Sequence, residues 1–224
     1  MLNERKNAER EEAMHSHVRL ALLLVLALGA SCSHTVVVPV PPRVDLSSYG
    51  TLGIVDFASN SERAINSHAT RQFQEQVQAA QPGTRFVELG DRQALLAAFG
   101  ASQLDPDTLR KIGQKYRVNA VFVGDIAYSE PRTEVKIADV QKLEGGMRAE
   151  VRGDISSRLL ETTGGASIWS SSAWARRQLG SVSVSAERGV SGSVSKSNPR
   201  DEMVPALVYH LTQDFRPSAV RQAQ

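Results

Sequence analysis

The side chains that carry most enzyme chemistry are sparse in this chain and poorly spaced. Histidines stand at 15, 17, 34, 68 and 210. Three of them precede the part that reads as a folded domain, which leaves His68 and His210, and neither has a second His or a Cys at ligand spacing. His210 adjoins Leu211 on an apolar helical stripe, so it reads as a packed or rim residue rather than a ligand. No Walker loop, G-x-G-x-x-G or G-x-S-x-G occurs, and Gly50 and Gly53 are too few and wrongly placed to cradle a phosphate. Asp56 ends the apolar run TLGIVDF, and the C-terminal ends of buried strands are where α/β sites gather. A polar strand end or a helper at a helix cap is the simpler account of Asp56, because no convergent set of groups accompanies it. The sequence therefore implies no catalytic group, no cofactor, no metal and no small-molecule substrate.

One reactive group remains, Cys32, the only cysteine. It follows a basic residue, Arg19, then an apolar run from Leu20 to Leu28, then the small residues Gly29, Ala30 and Ser31. The run has nine residues, too short for the ~20 that span a bilayer as a helix but right for the core of a secretory signal. Small residues leading straight into Cys look like a bacterial lipoprotein processing site, at which the signal is removed and the Cys takes the lipid. Leu28 departs from that pattern by one position. A lone Cys in an exported domain has no internal disulfide partner, and lipid attachment accounts for it. The sequence thus predicts a signal peptide over 14–31 and lipid on Cys32. Residues 1–13 are charged and have no apolar stripe, which makes Met14 the expected start, the alternative being an unusually long n-region of the signal. Ser33, rather than Asp, after the Cys points to the outer membrane.

Removing residues 1–31 takes away four basic and four acidic residues, so the net charge stays at +2. That balance gives no electrostatic case for nucleic acid. Pro39, Pro41 and Pro42 favour extended chain, and 32–48 reads as the lipidated Cys with its tether. The domain proper is expected over 49–216, with 217–224 a loose tail.

The expected elements alternate at first. Thr51–Phe57 and Val118–Ile126 are apolar on both faces, as strands covered on both sides are. Between them come a helix from Ser61 to Ala80 capped by Asn60 or Ser61, a strand Arg85–Leu89, a short helix capped by Asp91, and a helix opened by Asp105-Pro106-Asp107. This β-α-β-α-α-β order predicts parallel pairing. The pattern then changes. Thr133–Val140 and Met147–Leu159 alternate apolar and polar, with Gly145-Gly146 as the expected turn. Ala166–Arg176 continues the meander after a turn at Thr162–Gly165. Gly180–Lys196 reads as a weak Ser-Val hairpin, turned at Glu187-Arg188-Gly189, or as a loop. A last helix starts at Asn198-Pro199, with Met203, Leu207, Leu211 and Phe215 as its stripe. The fold class is α+β, an α/β sandwich: a mixed sheet with a parallel βαβ N-terminal half, an antiparallel C-terminal meander and a closing C-terminal helix.

Ile54–Phe57, Tyr116–Gly124 and Leu159–Ser170, with the last helix, resemble the periplasmic lipoproteins related to the curli secretion-channel protein CsgG, and more loosely those of the LpoB type. The matching patterns there are "IGVxDF", "VDAVVVG" and "LLDxxTGEVLWS", with Gly164-Gly165 here in place of Thr-Gly. The resemblance covers Tyr49–Phe215. It implies a lipid on Cys32 and a protein-interaction or assembly role, with an envelope partner or self-association. For its secretion-channel members it also implies a ring whose subunits each give two hairpins to a membrane barrel. Here these would be Thr133–Val151 and Ala173–Lys196. Gly180–Ala186 is short for a spanning strand, and the adjacent Arg176 and Arg177 would put one guanidinium in lipid. Ordinary sheet or loop is therefore the expectation for both.

Overall fold

The computed structural model describes residues 35–139, 144–185, 189–194 and 198–223. Cys32, the signal segment 14–31 and residues 1–13 lie outside them, as does the 186–188 part of the expected Ser-Val turn. Two units divide the chain, one of them residues 41–218. The other contains a two-stranded sheet, β1 (Thr35–Val40) with β10 (Ser218–Ala223). Thr35–Val40 of the expected tether and Ser218–Ala223 of the tail expected to be loose are thus paired strands. Pro39 is tolerated there because a two-stranded sheet has only edges.

In the larger unit, the runs with no polar face form the centre of the sheet. β2 (Thr51–Val55) lies between β4 (Arg85–Gly90) and β5 (Ala120–Tyr128), parallel to both, and β3 (Ala58–Ser59) adds a short parallel pairing to β5. α1 (Arg63–Ala80) buries Ile65, Ala69, Phe73 and Val77 on one side of these strands. α2 (Arg92–Ala98) and α3 (Pro106–Tyr116) cover the other side, packing Leu95, Leu109 and Ile112 on Val55, Val121 and Val123. Asp91 and Asp105 cap α2 and α3, accepting from the N–H of Ala94 and Thr108. The cap expected for α1 is absent. The N-cap is Glu62, without a side-chain bond, and Asn60 instead pairs with both the N–H and the C=O of Tyr128, tying β3's exit to the end of β5.

The antiparallel half is longer than its sequence signals. β7 (Glu144–Glu161) and β8 (Ser167–Ser185) run 18 and 19 residues. Gly145-Gly146 is not a turn: both glycines lie inside β7, opposite Ile137 and Lys136 of β6 (Arg132–Asp139). The described parts of the Ser-Val segment are sheet, with the end of β8 paired with β9 (Gly189–Val194). The order is β4-β2-β5-β7-β8-β9, with β6 taking β5's place beside β7 beyond Tyr128. α4 (Pro199–Leu211), capped by Asn198, lies on the same face as α1, and Phe215 follows it in a 3-10 turn rather than in the helix.

One close contact joins the first two of the sequence motifs, Ile54–Phe57 and Tyr116–Gly124. The Phe57 ring lies against Gly124 so closely that any Cβ at 124 would overlap it. Phe57 then begins an aromatic stack through Phe73, Phe122, Phe215 and Trp169, with ring centroids 4.6–6.3 Å apart. Gly165, at φ +74°, has Pro106 packed on it, which seats the β7–β8 turn on the start of α3. Val44 and Leu46, placed by the sequence in the tether, pack into the core, and Leu46 is 2% exposed. Gln81 holds them: its side chain donates to the carbonyls of Val44 and Phe215 and accepts from the N–H of Leu46.

Candidate interaction surfaces

The residues that sequence reasoning weighed for catalysis do not converge. Asp56 lies just past β2, and its N–H donates to Gly90. Partial burial, and then the charges of Asp91 and Glu88, raise its carboxyl above the ordinary carboxylate range. Its neighbours are therefore acids that repel it, and Asp91 caps α2. His68 Nδ1 lies 2.7 Å from Asp201, clasping α1 to α4, while His210 is exposed on α4 beside Gln213. No group of three metal-ligating side chains occurs among the described residues. No helix among them is long and apolar enough to cross a membrane, which leaves open a span by strands.

What the structure does present is two uncovered sheet surfaces. The first follows from where the helices stop. α1 and α4 cover one face of the sheet, contributing to a single core with Val151, Ile155, Leu159 and Trp169. On the other face α2 and α3 reach only the parallel edge and Leu160. Beyond them the alternate residues of β5, β7 and β8 stand in the open: Asp125; Arg152, Asp154, Ser156 and Arg158; Ser170, Ser172, Trp174 and Arg176. Serines make a low floor, and three overlapping clefts follow it from the α3 wall to Trp174, the largest about 590 Å³. Arg92 pairs with Asp125 at 2.9 Å, and Arg152 forks onto Asp154. Arg152 and Arg176 face each other across the β7–β8 register, and both guanidinium groups sit over the Trp174 ring, at 5.2 and 5.4 Å. The sequence held a signal for Trp174 that went unread. It is five residues from Trp169, so in a strand the two must face opposite ways. Trp169 is 6% exposed and Trp174 56%.

The second surface is the four-stranded ribbon β6-β7-β8-β9, formed beyond the reach of α4. Its register aligns Val135, Met147, Val182 and Gly192 across all four strands, with Thr133, Ala149 and Gly180 in the next row. Val135, Met147, Val182 and Val190 are 64%, 47%, 44% and 74% exposed. The opposite face carries Glu134, Arg148, Ser181 and Ser193 in one row, and hydroxyl pairs join Ser181 to Ser193 and Ser183 to Ser191. One face is thus apolar and the other polar, and no helix among the described residues covers the apolar one. Arg176 and Arg177 do not belong to the ribbon. Arg176 lies beside Trp174, and Arg177, on the opposite face, pairs with Glu202 of α4.

No family model matches the chain, and no curated protein matches it. Among solved structures it is similar to a PelC dodecamer from Paraburkholderia phytofirmans, at 13% identity and TM-score 0.37, over 82% of this chain and 98% of that one. It is also similar to lipoprotein GNA1162 from Neisseria meningitidis, at 16% identity and TM-score 0.33, over 71% and 96%. A third likeness is to the LpoB C-terminal domain from Salmonella enterica, at 14% identity and TM-score 0.33, over 57% and 83%. Likenesses this distant carry no functional argument.

Proposed function

We propose that this chain is a non-enzymatic assembly module of the bacterial cell envelope, lipid-anchored through Cys32 at the periplasmic face of the outer membrane. The observation that carries the assembly role is the ribbon's uncovered apolar face. A row of Val, Met and Val in water costs free energy that burial returns at ~25 cal/mol per Å², and a monomeric soluble domain rarely leaves such a face open. The outer edges of β6 and β9 have no strand partner among the described residues, which adds backbone groups able to pair with another chain. Signal, cleavage region and lone Cys support the anchor, and firm attachment follows when several acyl chains share that Cys. The test is the mass of the complex extracted from membranes in mild detergent, compared with that of Met147→Glu/Val182→Glu. Loss of association in the variant supports the reading, and an unchanged mass opposes it.

A second reading is an oligomeric outer-membrane export pore for curli-like or other secreted protein. The register of β6–β9 favours it, because both hairpins that the resemblance nominates lie side by side in one amphipathic sheet. Length weighs against it. Among the described residues β6 has 8 and β9 has 6, where spanning strands need ~9–11, although β7 and β8 run 18 and 19. A closed ring of eight or more subunits would favour the pore.

A further inference from the structure

We infer that the open trough across β5, β7 and β8 binds an extended acidic segment of a partner polypeptide, a role that rests on the reading of this chain as an interaction module. Positive charge is left over along the trough. Four arginines border the trough, and two are neutralised locally, Arg92 by Asp125 and Arg152 by Asp154. Arg158 and Arg176 have no carboxylate partner among the described residues. In the β7–β8 register Arg158 faces Ser170, and Arg176 is six residues further along β8, so the two charges stand ~20 Å apart at ~3.3 Å per residue. An extended peptide lying along the strands has the same rise, so two of its acids spaced by six residues reach both arginines from one side. Between them the floor is Ser156, Ser170 and Ser172, low enough to admit a backbone and able to bond it. Trp174, two residues before Arg176, meets an apolar residue two positions from the second acid.

The composition fits a polypeptide. Exposed Trp and Arg are the side chains on which protein interfaces concentrate their energy. The anion-binding groups are two arginines held apart on strands, a spacing that selects among acidic segments rather than collecting any anion.

The test uses the full lipidated chain in mild detergent and three fluorescein-labelled twelve-residue peptides rich in Ser and Thr. One has Glu at its third and ninth positions and Leu at its seventh. The second places the two glutamates side by side, and the third replaces them with Lys. The expected result is that the spaced acidic peptide binds about tenfold tighter than the lysine peptide, near the upper end of what two exposed ion pairs supply, and measurably tighter than the adjacent-Glu peptide. R158E/R176E should lose that peptide and gain the lysine one, a swap that misfolding cannot imitate. Equal binding of acidic and lysine peptides, no preference for the spaced acids, or unchanged binding by R158E/R176E would overturn the inference. So would displacement of the peptide by polyglucuronate at lower concentration than by unlabelled peptide. M147E/V182E separates the two claims. If it dissociates the assembly and keeps the peptide, both stand. If assembly is unaffected while the peptide preference holds, only the assembly reading falls.

Discussion

Gly124→Ala is the sharpest test of how the core is built. The added methyl would sit on the Phe57 ring, well inside the 3.4 Å at which ordinary contact begins. Phe57 is 1% exposed and already lies 5.4 Å, centroid to centroid, from Phe73, which is fully buried against Phe122 and Phe215. The ring cannot turn aside without moving that stack. Overpacking a filled core costs ~1–3 kcal/mol, and a wedge against a ring belongs in the upper half, so ~2 kcal/mol is expected. For a domain of this size that lowers Tm by about 6 °C, at ~3 °C per kcal/mol. Phe57→Leu alone also destabilises, because it leaves a void. Combined with Gly124→Ala it should cost less than the two changes summed, by ~1 kcal/mol, because the smaller side chain accepts the methyl. The assay is thermal and urea unfolding of the four proteins by circular dichroism. Strict additivity, or a Gly124→Ala protein that melts within about 1 °C of the parent, would refute the contact as the reason for this glycine.

Gln81→Ala should leave the groups of Val44, Leu46 and Phe215 unpaired and cost ~2 kcal/mol or more, read as faster amide exchange at Leu46 and a lower Tm. Asp56→Asn should stabilise the fold at neutral pH. A raised carboxyl pKa means that the folded state binds the proton more tightly, so the stability it lends is full below the ordinary value of 3.8 and is lost as pH climbs through the raised one. The gain from Asn should therefore shrink to nothing as unfolding is measured at successively lower pH. Arg117 ends α3 in the left-handed region at φ 57°, so Arg117→Gly should be neutral or slightly stabilising, and Arg117→Val clearly destabilising, in the same melts.

Local chemistry was the legible part of this fold. Asp91, Asp105 and Asn198 cap helices because each needs only its own next turn, and the two-faced runs at 51–57 and 118–126 suit covered strands, which the structure places at Thr51–Val55 and Ala120–Tyr128. What was not legible depends on partners distant in sequence. Gly145 and Gly146 carry a turn signal, yet strands on both sides hold them extended. Asn60 is a plausible cap until Tyr128 offers two backbone groups. Val44 and Leu46 look like tether next to the prolines, and only Gln81, thirty-five residues beyond Leu46, pins them to the core. The trough escaped notice because it consists of what α2 and α3 fail to cover. The polar parity of β7 and β8 was visible, but an ordinary solvated sheet face has the same pattern, and the register that places Arg158 six residues from Arg176 is a property of the pair of strands.

The measurement that bears most directly on the central claim is the native mass of the membrane-extracted protein, run beside M147E/V182E. An assembly larger than one chain that the two ribbon glutamates dissociate, with circular dichroism unchanged, is the predicted result. A single chain in both samples, or an assembly indifferent to glutamates on its apolar face, would contradict it.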